Sequence, residues 1–305
     1  MYDWDAIIVG GGPAGLTAGL YLGRAKRRVL LLEKETPGGY IRNIELIENY
    51  PGFAQGVAGA KLAAEMLAQA REYGLETAIG EVSGLEAFSG TQYVNCADGK
   101  GFTAGVVIFA GGSKNKKLNV PGEAELAGKG VFECAFCDGG HFAGKTVAVC
   151  GGGDAGVTEA LYLARIAAKV IVLEAMPELT ATGVLRDRRA GAANIESRCG
   201  QRVTAITGKD HVEGISLSGP DGAETLPVDG VLVHIGLEPN TDYLDGIVEL
   251  DENGQIVVDA SLVTDLPNVL AAGDIRSGSP RQVVTAVGDG ALAGMTAVRL
   301  LQQLE

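Results

Sequence analysis

Short apolar runs rich in valine and isoleucine alternate along the chain with stretches whose apolar residues recur at helical spacing, an order that predicts parallel βαβ units. The first unit reads as a strand over residues 5–9, a glycine turn, a helix from about residue 14 to 24, and a strand over residues 29–33. The same plan returns as a strand at 146–150, a turn at 151–156, a helix at 157–167 and a strand at 169–174. Two copies of one motif predict two nucleotide-binding domains.

Between the copies, residues 61–73 form an apolar-periodic helix and residues 82–102 a hairpin region. The apolar run 105–110 passes through Gly111-Gly112 into the polar, basic stretch 113–117, a linker by its composition. A matching crossover lies at 237–241, followed by strands at 255–258 and 269–272 and a last helix at about 287–304 with an Ala, Leu and Val inner face. The expected fold class is α/β, with two Rossmann-like, three-layer ββα domains, the second inserted in the first. The domains are residues 1–113 with 245–305, and residues 114–244.

With 305 residues, 46% of them hydrophobic, the chain suits about two domains with substantial cores. No apolar run reaches the roughly 20 residues that span a bilayer. The first strand begins almost at Met1 with no basic segment ahead of an apolar one, so a cytoplasmic protein without a membrane anchor is expected. A net charge of -13 speaks against nucleic-acid binding and suits a protein kept in solution by its charge.

Of the five cysteines, only Cys134 and Cys137 lie close in sequence. A zinc knuckle needs four ligands, and His141, His211 and His234 are scattered, so no metal is expected. A chance spacing is one alternative; a redox dithiol served by a bound flavin is the favoured one. Asp138 follows directly, where a carboxyl gives or takes the proton of thiol–disulfide exchange, or caps the turn before Gly139-Gly140. Cys96, Cys150 and Cys199 read as small structural residues.

Gly10, Gly12 and Gly15 occupy the positions of a dinucleotide turn between a strand and a helix. They serve the tight turn, the approach of a pyrophosphate, and helix–strand packing. Glu33 ends the next strand, where a carboxylate bonds both ribose hydroxyls. Asp274, just past a buried strand, accepts a hydroxyl from a ribityl chain or caps a helix; the residues alone leave both open.

Taken together, residues 10–15, 48–53, 134–139, 151–154, 235–241, 271–274 and 281–290 resemble the low-molecular-weight thioredoxin reductase family over nearly the whole chain. The resemblance implies FAD bound through Gly10, Gly12, Pro13, Ala14, Gly15, Glu33, Asn49, Asp274, Arg281, Gln282 and Val283. Asp274 then holds the ribityl chain, and the segment from Arg281 runs near the flavin ring. The family further implies that Cys137 faces the flavin and Cys134 attacks the partner disulfide, that the partner is thioredoxin or a similar protein, and that the enzyme is a homodimer. Its inserted domain rotates, with residues 113–117 and 242–246 as hinges.

The second nucleotide site departs from that pattern. Gly151, Gly153, Asp154 and Gly156 keep the turn, but relatives that use NADPH carry a His-Arg-Arg-x-x-x-Arg segment after the next strand. This chain has Glu174-Ala175-Met176-Pro177-Glu178-Leu179-Thr180 there. A 2′-phosphate carries about two negative charges and seeks arginine forks. Glu174 repels it and suits the free hydroxyls of NADH, so NADH is the expected donor. The alternatives are a ferredoxin-fed reductase, a dithiol oxidase that passes electrons to oxygen, and a redox-sensing flavoprotein. Arg186, Arg188 and Arg189 read as a solvated helix face or as a substitute phosphate contact. Tyr40 shields the flavin or simply packs, and His141 tunes the dithiol or lies at the surface.

Overall fold

Strand β1 (Trp4–Val9) lies where the first apolar run predicts it, and Ala6, Ile7 and Ile8 are wholly inaccessible, as a strand covered on both faces requires. A computed structural model describes residues 2–88, 90–220 and 222–305. After β1 come α1 (Pro13–Arg24), β2 (Val29–Glu33), α2 (Gly59–Glu72), β3 (Leu75–Ile79), β4 (Val82–Phe88), β5 (Thr91–Cys96) and β6 (Gly101–Phe109). The short β7 (Ser113–Asn115) leads into β8 (Val131–Phe132), α3 (Ala135–Asp138), β9 (Thr146–Cys150), α4 (Asp154–Leu163), β10 (Lys169–Glu174) and α5 (Gly183–Ala190). Then follow β11 (Ile195–Cys199), β12 (Arg202–Gly208), β13 (Val212–Gly219), β14 (Gly222–Pro227) and β15 (Gly230–Val233). The chain returns through β16 (Leu237–Pro239) to β17 (Val269–Ala271) and α6 (Val283–Leu304).

Two compact units result: Met1–Lys114 with Glu238–Glu305, and Asn115–Leu237. Residues 238–244, expected in the inserted domain, pack instead with the first unit. Leu244 is fully buried there, and Tyr243 meets Phe109 edge-on at 6.1 Å.

In the first unit the sheet runs β3-β2-β1-β6-β5-β4, with β17 beside β6; β3, β2, β1, β6 and β17 are parallel. Its two faces separate by the alternation of side chains. Ile8, Leu31 and Ile108 join Leu16, Leu22, Ala293 and Leu301 on the helical side. Ile7, Leu32 and Val107 join Leu85 and Val94 on the side of the meander. The second unit repeats the plan with a parallel sheet β11-β10-β9-β15-β8 between α4 on one face and the antiparallel β12-β13-β14 on the other. Both units are thus three-layer ββα folds.

Three local expectations change. Residues 255–258 form no strand: Ile256 makes only isolated bridges to Leu250 and Arg276, while the Gln255 amide donates to the Asp274 and Arg276 carbonyls. α4 stops at Leu163 because Arg165 and Ile166 turn their N–H groups to carbonyls three residues back. α6 starts at Val283, one turn earlier than its periodicity suggests.

By length and composition α6 is also apolar enough to cross a bilayer, which the reading of apolar runs did not anticipate. One of its faces is spent in the core, with Ala286, Gly290, Ala293, Ala297 and Leu301 buried. α1 and α6 touch backbone to backbone: a Cβ on Gly290 would stand 2.2 Å from the Ala14 carbonyl oxygen. Gly290→Val is therefore expected to cost about 1–3 kcal/mol by overpacking. Denaturant unfolding followed by circular dichroism checks this, and an unchanged midpoint would refute it.

Candidate active site

At the end of β1 the chain turns at Gly10, whose φ of +105° suits glycine and whose Cβ would lie 2.4 Å from the Ala110 carbonyl oxygen. Gly15 crosses so tightly that its Cβ would lie 2.0 Å from the Gly10 oxygen. Gly12 differs: its nearest neighbour would be Gly39 Cα at 3.9 Å, so the middle glycine borders open space at the start of α1. First-turn N–H groups have no helical acceptor and offer themselves to an anion there. Pro13, at the start of α1, gives up no hydrogen bond in that place.

Glu33 closes this turn, accepting the Gly11 N–H on Oε2 at 2.8 Å and the Glu35 N–H on Oε1 at 3.2 Å. Gly273 abuts Ala14, which sets the Asp274 loop against α1. Asp274 does not cap a helix: it lies within a short 3-10 turn that starts after Ala272, and Oδ1 accepts the Ser279 hydroxyl at 3.2 Å. Burial pushes its carboxyl upward, and the Ser279 hydroxyl opposes the shift. Asn49 and Gln282 are brought together from distant segments by an amide–amide bond of 2.9 Å. Arg281 adopts the left-handed region, with φ of +57°, and its N–H reaches Ser279 Oγ at 3.2 Å. Val283 packs against the small apolar cluster that contains Ile41 and Leu62. Amides beside open space, a carboxylate at the ribose position and a second carboxylate on the facing loop form a donor set that fits a flavin dinucleotide.

Sequence reasoning missed the support of this loop. Arg276 grips Asp289 through Nε at 2.8 Å and a second nitrogen at 2.9 Å, and Asp289 also accepts the Gly273 N–H at 3.0 Å. The bidentate pair fixes the residue next to Asp274. Neither residue belongs to a motif that announces the contact, because they come from different elements.

The second glycine turn repeats the first. A Cβ on Gly151 would lie 2.0 Å from the His234 carbonyl oxygen, one on Gly156 2.0 Å from the Gly151 oxygen, and one on Gly153 no nearer than 3.6 Å to anything. Glu174 accepts the Gly152 N–H on Oε2 at 2.8 Å and the Met176 N–H on Oε1 at 2.9 Å. The acid stands 22 residues beyond its amide partner in both turns, and both carboxylates also take an N–H two residues on. Asp154 ties the start of α4 to the following loop by accepting the Thr182 N–H at 2.6 Å. Ala175 and Met176 are exposed. α5 buries none of its residues; Arg186 reaches Glu178 at 3.9 Å, Arg188 is exposed and Arg189 half-buried.

Cys134 and Cys137 form a disulfide across the single turn of α3, with Cα atoms 5.3 Å apart. Cys134 is half-buried and Cys137 exposed, and Cys134 Sγ accepts the Cys137 N–H at 3.0 Å. Between them Phe136 is 49% exposed and meets Tyr162 edge-on at 5.7 Å. Asp138 precedes the next turn without capping it through its side chain, so its carboxyl is not committed to that task. His141 is exposed, and Tyr40 is 43% exposed rather than a core residue. Two contacts that the sequence did not announce reach the main chain here: Glu159 binds the Ala135 N–H, and the His234 ring, read from sequence only as a scattered histidine, faces the Glu133 carbonyl.

The remaining thiols are held protonated. Burial pushes Cys150 up to about 12 and raises Cys96 and Cys199 as well. Among the described residues, no group of three or more His, Cys, Asp or Glu side chains is placed to hold a metal ion.

Comparison with known proteins agrees with this arrangement. Residues 4–290 match the family described as pyridine nucleotide-disulphide oxidoreductase. The chain is 40% identical over 306 residues to a thioredoxin reductase of Listeria innocua, covering 99% of this chain and 95% of that one. It is 37% identical over 310 residues to one of Bacillus subtilis, covering 99% and 96%. Among solved structures, the Lactococcus lactis thioredoxin reductase superimposes with a TM-score of 0.96 at 32% identity, covering 99% of this chain and all of that one. That of T. acidophilum gives 0.93 at 34% identity, covering 99% of each. Two glycine turns with their acids, a CxxC disulfide in the inserted unit and full-length similarity lead to one conclusion: the chain belongs to the low-molecular-weight thioredoxin reductase family of flavin-dependent disulfide oxidoreductases.

Proposed function

We propose that this chain reduces a thioredoxin-like protein with electrons from NADH, passed by way of FAD to the Cys134–Cys137 disulfide. The observation that carries the choice of donor is Glu174, whose carboxylate occupies the second glycine turn as Glu33 occupies the first. Each of its oxygens already takes one main-chain N–H and keeps a lone pair for a ribose hydroxyl. A 2′-phosphate would instead bring about two negative charges against it. Ala175 and Met176 supply no cation in return.

In this reading the first unit is the FAD domain. Gly12, Pro13, Ala14 and Gly15 face the pyrophosphate, Glu33 holds a ribose, and Asp274 the ribityl chain, with Asn49, Arg281, Gln282 and Val283 near the ring. The inserted unit holds NADH through Gly151, Gly153, Asp154, Gly156 and Glu174. Bound FAD supplies the two-electron exchange between nicotinamide and disulfide. Cys137 takes the side of the flavin, and Cys134 attacks the partner disulfide. The first thiolate forms a mixed disulfide, the second resolves it, and Asp138 handles the proton. Family membership supports a homodimer.

The test is anaerobic mixing of the yellow protein with each nicotinamide while flavin absorbance is followed. NADH is expected to bleach the flavin about 10–100-fold faster than NADPH, the worth of one or two charge-assisted hydrogen bonds. Glu174→Arg should move the preference toward NADPH. Bleaching by neither would sink the nicotinamide assignment and direct attention to ferredoxin or small dithiols.

A further inference from the structure

Cys134 is gripped on both sides by side chains from elsewhere in its own unit. On one side the half-buried Glu159, from α4, accepts the Ala135 N–H on Oε2 at 2.5 Å. On the other, the buried His234, which follows β15, lies 3.0 Å through Nε2 from the Glu133 carbonyl oxygen. A carbonyl oxygen only accepts, so Nε2 carries the proton and His234 donates. Burial lowers the imidazole's proton affinity, which keeps the ring neutral in that role. Both contacts reach main chain rather than sulfur, so neither uses an atom of the S–S bond. Cys137, by contrast, is exposed and has its amide bonded to Cys134 Sγ, a contact made to sulfur itself.

We propose that Glu159 is a positioning residue for the redox pair: with His234 as the opposing pin, its carboxylate holds the Cys134 backbone and sets the reduction potential of the Cys134–Cys137 couple. The inference rests on reading that pair as the electron-transferring centre. Opening the S–S bond consumes two electrons, supplied by the family's flavin chemistry, and one proton, and leaves one thiol and one thiolate. The new negative charge arises beside the peptide whose N–H the Glu159 carboxylate holds, and like charges repel. Glu159 therefore weighs against the reduced form and makes the pair a stronger reductant. Burial pushes the Glu159 carboxyl upward, and the Ala135 N–H opposes that shift.

Glu159→Gln keeps an acceptor for the Ala135 N–H and removes the charge. The full-length flavoprotein and this variant are equilibrated in buffers of graded dithiothreitol ratio, and the free cysteines are counted by alkylation. The variant is expected to favour the dithiol about tenfold more, equivalent to about 30 mV for this two-electron couple. A shift under about twofold, or one toward the disulfide, overturns the role of Glu159. A bond that resists the dithiol at every ratio in the wild type defeats the redox reading itself, and the two failures are told apart because the titration needs neither NADH nor a protein partner. Should the variant not fold, hydrogen exchange of the wild-type protein decides. The Ala135 amide is expected to be protected on the order of a thousandfold in both redox states. Exchange at the rate of an open turn overturns the grip.

Discussion

Cys134→Ser and Cys137→Ser are each expected to abolish turnover of a thioredoxin-like protein, lowering it by at least about a thousandfold. A hydroxyl forms no S–S bond, so the variant has no disulfide to receive electrons and no second thiol to resolve a mixed one. The two sulfurs act as a unit across the turn of α3, with Cα atoms 5.3 Å apart. Non-additivity follows: the double variant loses no more than either single one. Steady-state turnover with a thioredoxin and nicotinamide in excess measures this. Retention of a tenth of the activity in either variant would mean that electrons leave by another route. Cys150→Ser serves as the contrast, since that thiol is buried, pushed up to about 12, and not placed in the exchange.

The second large effect concerns the flavin unit. Arg276→Met leaves Asp289 as a charge without its fork, at side-chain exposures of 18% for the arginine and 12% for the aspartate. Breaking a buried pair by removing one partner costs about 3–5 kcal/mol, and because this pair keeps some solvent contact the lower end is expected. The Gly273 N–H depends on the same carboxylate, so the loop bearing Asp274 loosens with it. The flavin-to-protein ratio after gel filtration should fall together with the unfolding midpoint. Replacing both residues, as Arg276→Met with Asp289→Leu, should recover part of the stability, because no unpaired charge remains. A single variant as yellow and as stable as the wild type would show that the fork supports nothing.

Much of the architecture was legible because it is written in local patterns. Short apolar runs marked β1, β2, β9 and β10, and each glycine turn announced itself between a strand and a helix. The 22-residue spacing that places Glu33 on Gly11 and Glu174 on Gly152 follows from one strand–turn–helix–strand unit used twice. The CxxC pair closes within a single turn. Where local pattern misled, a neighbour decided. Residues 255–258 have strand character but no strand beside them, and the Gln255 side chain is spent on carbonyls. The apolar composition of α6 looks the same whether the helix faces lipid or α1; the buried face that packs on α1, with Gly290 at the closest approach, is visible only in the fold.

From the sequence alone came the α/β class, the two nucleotide turns, the acid at each, the redox pair and the absence of arginines from residues 174–180, since each is carried by residues near one another in the chain. What only the tertiary structure decided are contacts between residues far apart in the chain. Glu159 meets the Ala135 amide across 24 residues, His234 meets the Glu133 carbonyl across 101, and Asn49 meets Gln282 across 233. Even Arg276 and Asp289, 13 residues apart, meet only because the loop after β17 folds back on α6. A single glutamate, histidine or arginine has no periodicity and no spacing to betray it. Its role depends on which backbone group the packed layers bring within hydrogen-bond reach, and that is settled only when the helices and sheets close on their shared core.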